Sequence, residues 1–147
     1  MNSFGASIDD LNSPPASPIA AQGSILVVDD HDLTAAALSK LLTSAGYVAQ
    51  VAHNGGDALA KVAAARPIAA IIDIHLPDLN GLILSRKLRE QLGPGVPLIV
   101  LSGDTSMATI NSLPHVGATY FLSKPVHAAH LLELLKNWLP GEAVKSS

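Results

Sequence analysis

The chain has 147 residues, 48% of them hydrophobic and 3% aromatic, with a mean hydropathy of +0.35, so one domain with a core of Ala, Leu, Ile and Val is expected. A net charge of −3 with 9 Lys plus Arg offers no basic patch to neutralise phosphates, which argues against direct nucleic-acid binding. Cysteine is absent, which removes disulfides and thiolate metal sites and makes the cytoplasm the default location.

Residues 1–22 mix Ser, Pro, Ala, Asn and Gly without periodicity and are expected to form a flexible tail or linker. They are polar and acidic where a secretory leader would be basic and then hydrophobic. No apolar run reaches spanning length, so neither export nor membrane insertion is expected. The run SILVV (24–28) predicts a buried strand. DLTAAALSKLLTSAG (32–46) predicts a helix with Leu33, Ala37, Leu38, Leu41 and Leu42 on one face, Asp32 as its cap and Gly46 at its end. YVAQVA (47–52) reads as strand, GGDALAKVAAA (55–65) as a helix closed by Pro67, and IAAIID (68–73) as strand. Helix 81–92, strand 96–102, helix 105–111, strand 118–123 and helix 127–139 complete five β/α units; residues 141–147 read as a second tail, leaving residues 23–140 as the domain.

Strands that are continuous Val, Ile and Leu runs are buried on both faces, which requires a parallel sheet with helices on each side. The fold class is therefore α/β, a doubly wound five-stranded parallel sheet with five helices in a three-layer sandwich. In such folds ligands bind beyond the carboxyl ends of the strands. Those ends carry Asp29 and Asp30 after the first strand, Asp73 after the third, Ser102 after the fourth, and Lys124 with Pro125 after the fifth. Carboxylates crowded on one face repel one another unless a cation lies between them, and hard oxygen ligands in small number suit Mg²⁺. A carboxylate beside such an ion can attack an activated phosphorus, while a hydroxyl and an ammonium hold the phosphoryl oxygens. The pattern is that of a phosphate acceptor.

The segments VVDD, DIHLP with Gly81 eight positions after Asp73, and SKP resemble the receiver domain of two-component response regulators, the CheY-like superfamily. Ser102 and Lys124 are 22 positions apart, as in that family, and Phe121 stands three before the lysine, at the place of an aromatic switch residue. The resemblance covers residues 23–140. It implies a flavodoxin-like sheet of order 2-1-3-4-5, phosphorylation of Asp73 by a histidine kinase or histidine phosphotransfer protein, and Mg²⁺ held by Asp29, Asp30, Asp73 and the backbone carbonyl of His75. It also implies that Ser102 and Lys124 bind the phosphoryl group, that Ser102 and Phe121 switch together, and that Lys124–Pro125 is cis.

Taken singly, the acidic run could be helix-capping charge, SKP a turn and Phe121 a core residue. Their coincidence at matched strand ends is what favours the receiver reading. His75 and Asp104, each two positions after a site residue, are expected to flank the path of a water attacking the phosphoryl group and to tune dephosphorylation. His127 and His130 have no third ligand nearby and read as an ordinary helix face. Pro114 falls where the family carries its fourth helix and is expected to end that helix early, while Asn80 serves the turn before Gly81.

After Pro140 seven residues remain, too few for an output module, so the signal is expected to leave by contact with a protein partner on the 105–139 face or by dimerisation on phosphorylation. A receiver cut from a longer regulator or hybrid kinase is the alternative. No metabolic enzyme activity is expected beyond self-phosphorylation and autodephosphorylation. An Asp-nucleophile phosphohydrolase would resemble D-x-D on the first strand and need a cap domain; VVDDHD offers adjacent acids instead. A nucleotide or flavin module would want a Gly-rich loop where this chain has acids that repel phosphate.

Overall fold

The computed structural model describes residues 24–103 and 117–139. Among the described residues nine elements follow one another: β1 (Ser24–Val28), α1 (Asp32–Ser44), β2 (Val48–Ala52), α2 (Gly55–Ala64), β3 (Ala69–Asp73), α3 (Gly81–Leu92), β4 (Leu98–Ser102), β5 (Tyr120–Ser123) and α4 (Ala128–Trp138). The five strands form one parallel sheet in the order β2-β1-β3-β4-β5. The helix expected over 105–111, the Pro114 break and Asp104 lie outside the described residues, so four of the five expected helices are seen.

Side chains alternate across a strand, and the sheet accordingly divides its apolar residues between two cores. Ile25, Val27, Ile71, Ile99 and Leu101 meet Leu38 and Leu42 of α1 and Leu131 and Leu135 of α4 on one face. Leu26, Val28, Ala70, Ile72 and Leu98 meet Ala58 and Val62 of α2 and Leu84, Leu88 and Leu92 of α3 on the other. This is the three-layer sandwich. Truncating one of these wholly buried leucines to Ala costs about 2–5 kcal/mol in such a core.

Burial on both faces holds for β1, β3 and β4, whose residues are all buried. It does not hold for β2 and β5, which are partly exposed because each edge strand has a neighbour on one side only. Two strands also start later than their composition suggests. β4 begins at Leu98 and β5 at Tyr120 because Leu98 and Thr119 bond each other crosswise: the Leu98 N–H donates to Thr119 Oγ1 at 3.0 Å and the Thr119 N–H to the Leu98 carbonyl at 2.8 Å.

In α1 the buried stripe is Ala35, Leu38 and Leu42; Leu33 is 86% exposed, contrary to the expected apolar face. The cap also differs. His31 is the extended residue before the helix and makes no side-chain cap bond, while Asp32 is the first helical residue. The reason is local: the His31 N–H donates to Asp29 Oδ1 at 2.9 Å, which fixes the turn one residue before Asp32.

Candidate functional site

The carboxyl ends of β1, β3, β4 and β5 lie side by side, so the topology alone brings Asp29, Asp30, Asp73, Ser102 and Lys124 to one edge of the sheet. Asp73 is the last residue of β3 and completely buried. Its Oδ1 accepts the His75 N–H at 3.2 Å, and the loop beyond it is closed by the Gly81 N–H donating to the Ile74 carbonyl at 2.8 Å. A Cβ on residue 81 would stand 2.2 Å from the Asp73 carbonyl oxygen, so the glycine eight positions after Asp73 is required by close backbone approach. Ser85, also buried, donates to the Gly81 carbonyl at 2.8 Å and holds the first turn of α3 down.

The second oxygens of Asp29 and Asp73 are buried and have no hydrogen-bond donor. Lys124 Nζ lies 3.2 Å from Asp73 Oδ2 and 3.9 Å from Asp29 Oδ2, near enough for charge attraction but not aligned as a hydrogen bond. One ammonium thus faces two buried carboxylates and offsets only one of their two charges. The Lys124–Pro125 bond is cis, and the Lys124 N–H donates to the Ser102 carbonyl at 3.0 Å, tying the end of β5 to that of β4. Ser102 is fully buried, whereas Phe121, opposite Val100, is half-buried in a partly exposed strand.

Ligand atoms of Asp29, Asp30, His31 and Asp73 all lie within 4.8 Å of one another. Two buried carboxylate oxygens that make no hydrogen bond and share a single ammonium fit a divalent cation, since uncompensated buried charge is costly and oxygen donors suit a hard ion. His75 contributes its N–H to Asp73 but its side chain is exposed. His127 stands at the start of α4, and His130 lies edge-on to Tyr120 with ring centroids 6.2 Å apart; both are exposed.

These features match known proteins over most of the chain. Residues 25–136 match the model of the response regulator receiver domain. The chain belongs to the response-regulator receiver family. It is 36% identical over 114 residues to the sensory/regulatory protein RpfC of Xanthomonas campestris pv. campestris, covering 76% of this chain and 16% of RpfC. It is 35% identical over 126 residues to the response regulator MprA of Mycobacterium bovis, covering 83% of this chain and 54% of MprA. The chain therefore spans about half or less of the length of these relatives. Among solved structures, the Vibrio cholerae chemotaxis protein CheY4 is similar with a TM-score of 0.75 at 32% identity, over 80% of this chain and 98% of that one. A CheY-like receiver domain from Methanospirillum hungatei has the same TM-score and identity, over 84% and 98%.

The receiver also contains polar features beyond those expected from its sequence. Asp78, in the loop between β3 and α3, accepts the Gly55 N–H at 2.8 Å and the Gly56 N–H at 2.9 Å, and these bonds hold its carboxyl below the usual carboxylate value. Asn54 accepts the Asp57 N–H at 2.7 Å, so the open N–H groups of the first turn of α2 are satisfied from two directions. Arg89 on α3 donates to the carbonyls of Gly93, Val96 and Gly117 and to Thr119 Oγ1, over 2.7–3.2 Å. Its burial pushes the guanidinium pKa down from its ordinary value. His31 stands within the DDHD run, and its Nδ1 turns toward both Asp29 and Asp30.

Proposed function

We propose that Asp73 is the phosphoacceptor of this receiver and that its donor is a phosphohistidine on a histidine kinase or a histidine phosphotransfer protein. The observation that carries the reading is the division of labour within one carboxylate: Oδ1 is held by the His75 N–H, while Oδ2 is buried without a hydrogen bond, 3.2 Å from Lys124 Nζ. Oδ2 attacks the phosphorus, the new O–P bond forms as the donor N–P bond breaks, and the electron pair leaves with the imidazole, which takes up a proton. Asp73 is fully buried and Lys124 is 30% exposed, so the ammonium is the partner free to shift with the incoming phosphoryl oxygens.

Asp29, Asp30 and the backbone carbonyl of His75, with Asp73, would hold Mg²⁺, which when bound offsets the negative charge gathered at the reacting oxygens. Ser102 completes the phosphoryl contacts and, with Phe121, converts them into a changed surface around β5 and α4, where a downstream partner or a second copy docks. His75 and Asp104 set the lifetime of the phosphorylated state. The product of the reaction is this altered surface, in the cytoplasm, and no metabolite is turned over. No helix among the described residues is long and apolar enough to cross a membrane.

The coverage of the relatives supports a second reading, in which this receiver is one module of a longer regulator or hybrid kinase. An immunoblot of the native host reads the size of the intact protein and decides between the two. The phosphoacceptor reading is tested by intact-mass spectrometry after incubation with Mg²⁺ and acetyl phosphate. One labile phosphoryl adduct, lost with EDTA and in Asp73→Asn, is expected; an adduct that survives in Asp73→Asn contradicts it.

A further inference from the structure

His31 is not used by the reaction, yet it is the one nitrogen donor in the acidic cluster. Its backbone is extended ahead of α1 and its side chain makes no cap bond, so helix capping does not explain where the imidazole points. Nδ1 lies 3.3 Å from Asp29 Oδ1 and 3.3 Å from Asp30 Oδ1. A neutral imidazole has at most one Nδ1 proton to share between two anionic oxygens, whereas a cation serves all three atoms. An ion bonded at about 2.0–2.1 Å sets its ligands about 3.0 Å apart at a right angle and about 3.4 Å apart at a tetrahedral angle. The observed separations fall between those two values. Independently, Asp29 Oδ2 is buried without a hydrogen bond, its nearest cation being Lys124 Nζ at 3.9 Å.

We propose that His31, with Asp29 and Asp30, makes this a mixed nitrogen and oxygen site that binds first-row transition-metal dications through the imidazole, in addition to an all-oxygen mode for Mg²⁺. The inference rests on the reading that Asp29 and Asp30 hold a divalent cation and adds a ligand that Mg²⁺ does not favour. Imidazole suits Co²⁺, Ni²⁺ and Zn²⁺, while Mg²⁺ keeps oxygen ligands and water. Because both modes use the same carboxylates, a transition-metal ion held by His31 competes with Mg²⁺, and the receiver's readiness to accept a phosphoryl group depends on which ion is in excess.

The test is calorimetric titration of the full chain with Mg²⁺ and, separately, with Co²⁺, for the wild type, His31→Ala and His53→Ala. His53 is the control because it lies close by, with Nδ1 3.1 Å from the Asp29 carbonyl, but outside the ligand cluster. His31 is 67% exposed, so its truncation leaves the fold intact, as circular dichroism will verify. His31→Ala is expected to weaken Co²⁺ about tenfold or more and Mg²⁺ by less than about twofold, with His53→Ala changing neither. In the proton spectrum of the Co²⁺ complex, a hyperfine-shifted, exchangeable imidazole N–H is expected in the wild type and His53→Ala and absent in His31→Ala. Equal effects on both ions, or an imidazole signal that survives His31→Ala, overturn the proposal. If Mg²⁺ binds and His31→Ala leaves Co²⁺ unchanged, only the role of His31 falls; if the wild type binds neither ion, the cation reading falls with it.

Discussion

The end of β3 and the end of β5 both carry a residue of the site, yet they are held in different ways. Around Asp73, the His75 N–H, the Gly81 N–H and the Ser85 hydroxyl each fix a backbone or side-chain oxygen within four residues of the strand end or of the helix that follows. Around Lys124, the chain leaves a partly exposed edge strand, and the Lys124 N–H ties it to the Ser102 carbonyl. The contrast suits the proposed roles, in which Asp73 stays in place as the nucleophile and Lys124 follows the new charge. The local hydrogen bonds gather where β3 runs into α3 and are fewer where β5 runs toward α4.

The pinned side breaks most severely at Gly81. Gly81→Ala forces a methyl against the Asp73 carbonyl and the Ile74 Cα, at 2.2 Å and 2.7 Å as the backbone stands, and should cost about 3 kcal/mol or more in urea unfolding. A loss under about 1 kcal/mol would mean that the β3 end is far more yielding than its contacts suggest.

Next comes Arg89, whose guanidinium joins the pinned helix α3 to the segment leading into β5. Arg89→Ala leaves the Val96 and Gly117 carbonyls without these donors and should cost about 1.5–3 kcal/mol. Arg89→Lys should recover less than half of that, because an ammonium cannot reproduce the planar fork that serves Gly93, Val96 and Gly117 together. Gly117, with φ +79°, lies against the same side chain, so loss of the tether should loosen β5 before it loosens β3, as amide hydrogen exchange will show.

The smallest effect is the acid limb of Asp78. Its folded-state pKa lies below the ordinary 3.8, so in that window the unfolded chain binds more protons and stability rises with pH. The contribution is fully present above the unfolded value and is lost as pH falls through the lower, folded one. Asp78→Asn should flatten this part of the stability profile, while profiles that superimpose would show that the Gly55 and Gly56 bonds do not favour the charged form.

Much of this was legible in the sequence because the decisive signals are local. The unbroken apolar runs of β1, β3 and β4 are short enough to be strands and end directly on Asp29, Asp73 and Ser102, and α3 occupies residues 81–92 as its periodicity predicts. What escaped is non-local. Asp78 finds its donors 22 and 23 residues earlier and Arg89 finds Gly117 28 residues later, distances that no periodicity encodes. The rotation of α1 also escaped: spacing identified an apolar stripe, but only packing decides that Ala35 lies inside and Leu33 outside. His31 was in plain view between two acids, and its significance depends on an imidazole orientation that spacing cannot supply.

The most direct measurement is to phosphorylate the chain from a phosphohistidine donor, reduce the product with sodium borohydride and map the resulting homoserine by tandem mass spectrometry. Conversion at residue 73, with Asp29 and Asp30 unmodified and no conversion without Mg²⁺, is the predicted result. Homoserine at Asp29 or Asp30, or a stable phosphoryl group on another residue type while Asp73 stays intact, would contradict the assignment of the buried Asp73 Oδ2 beside Lys124 as the nucleophile.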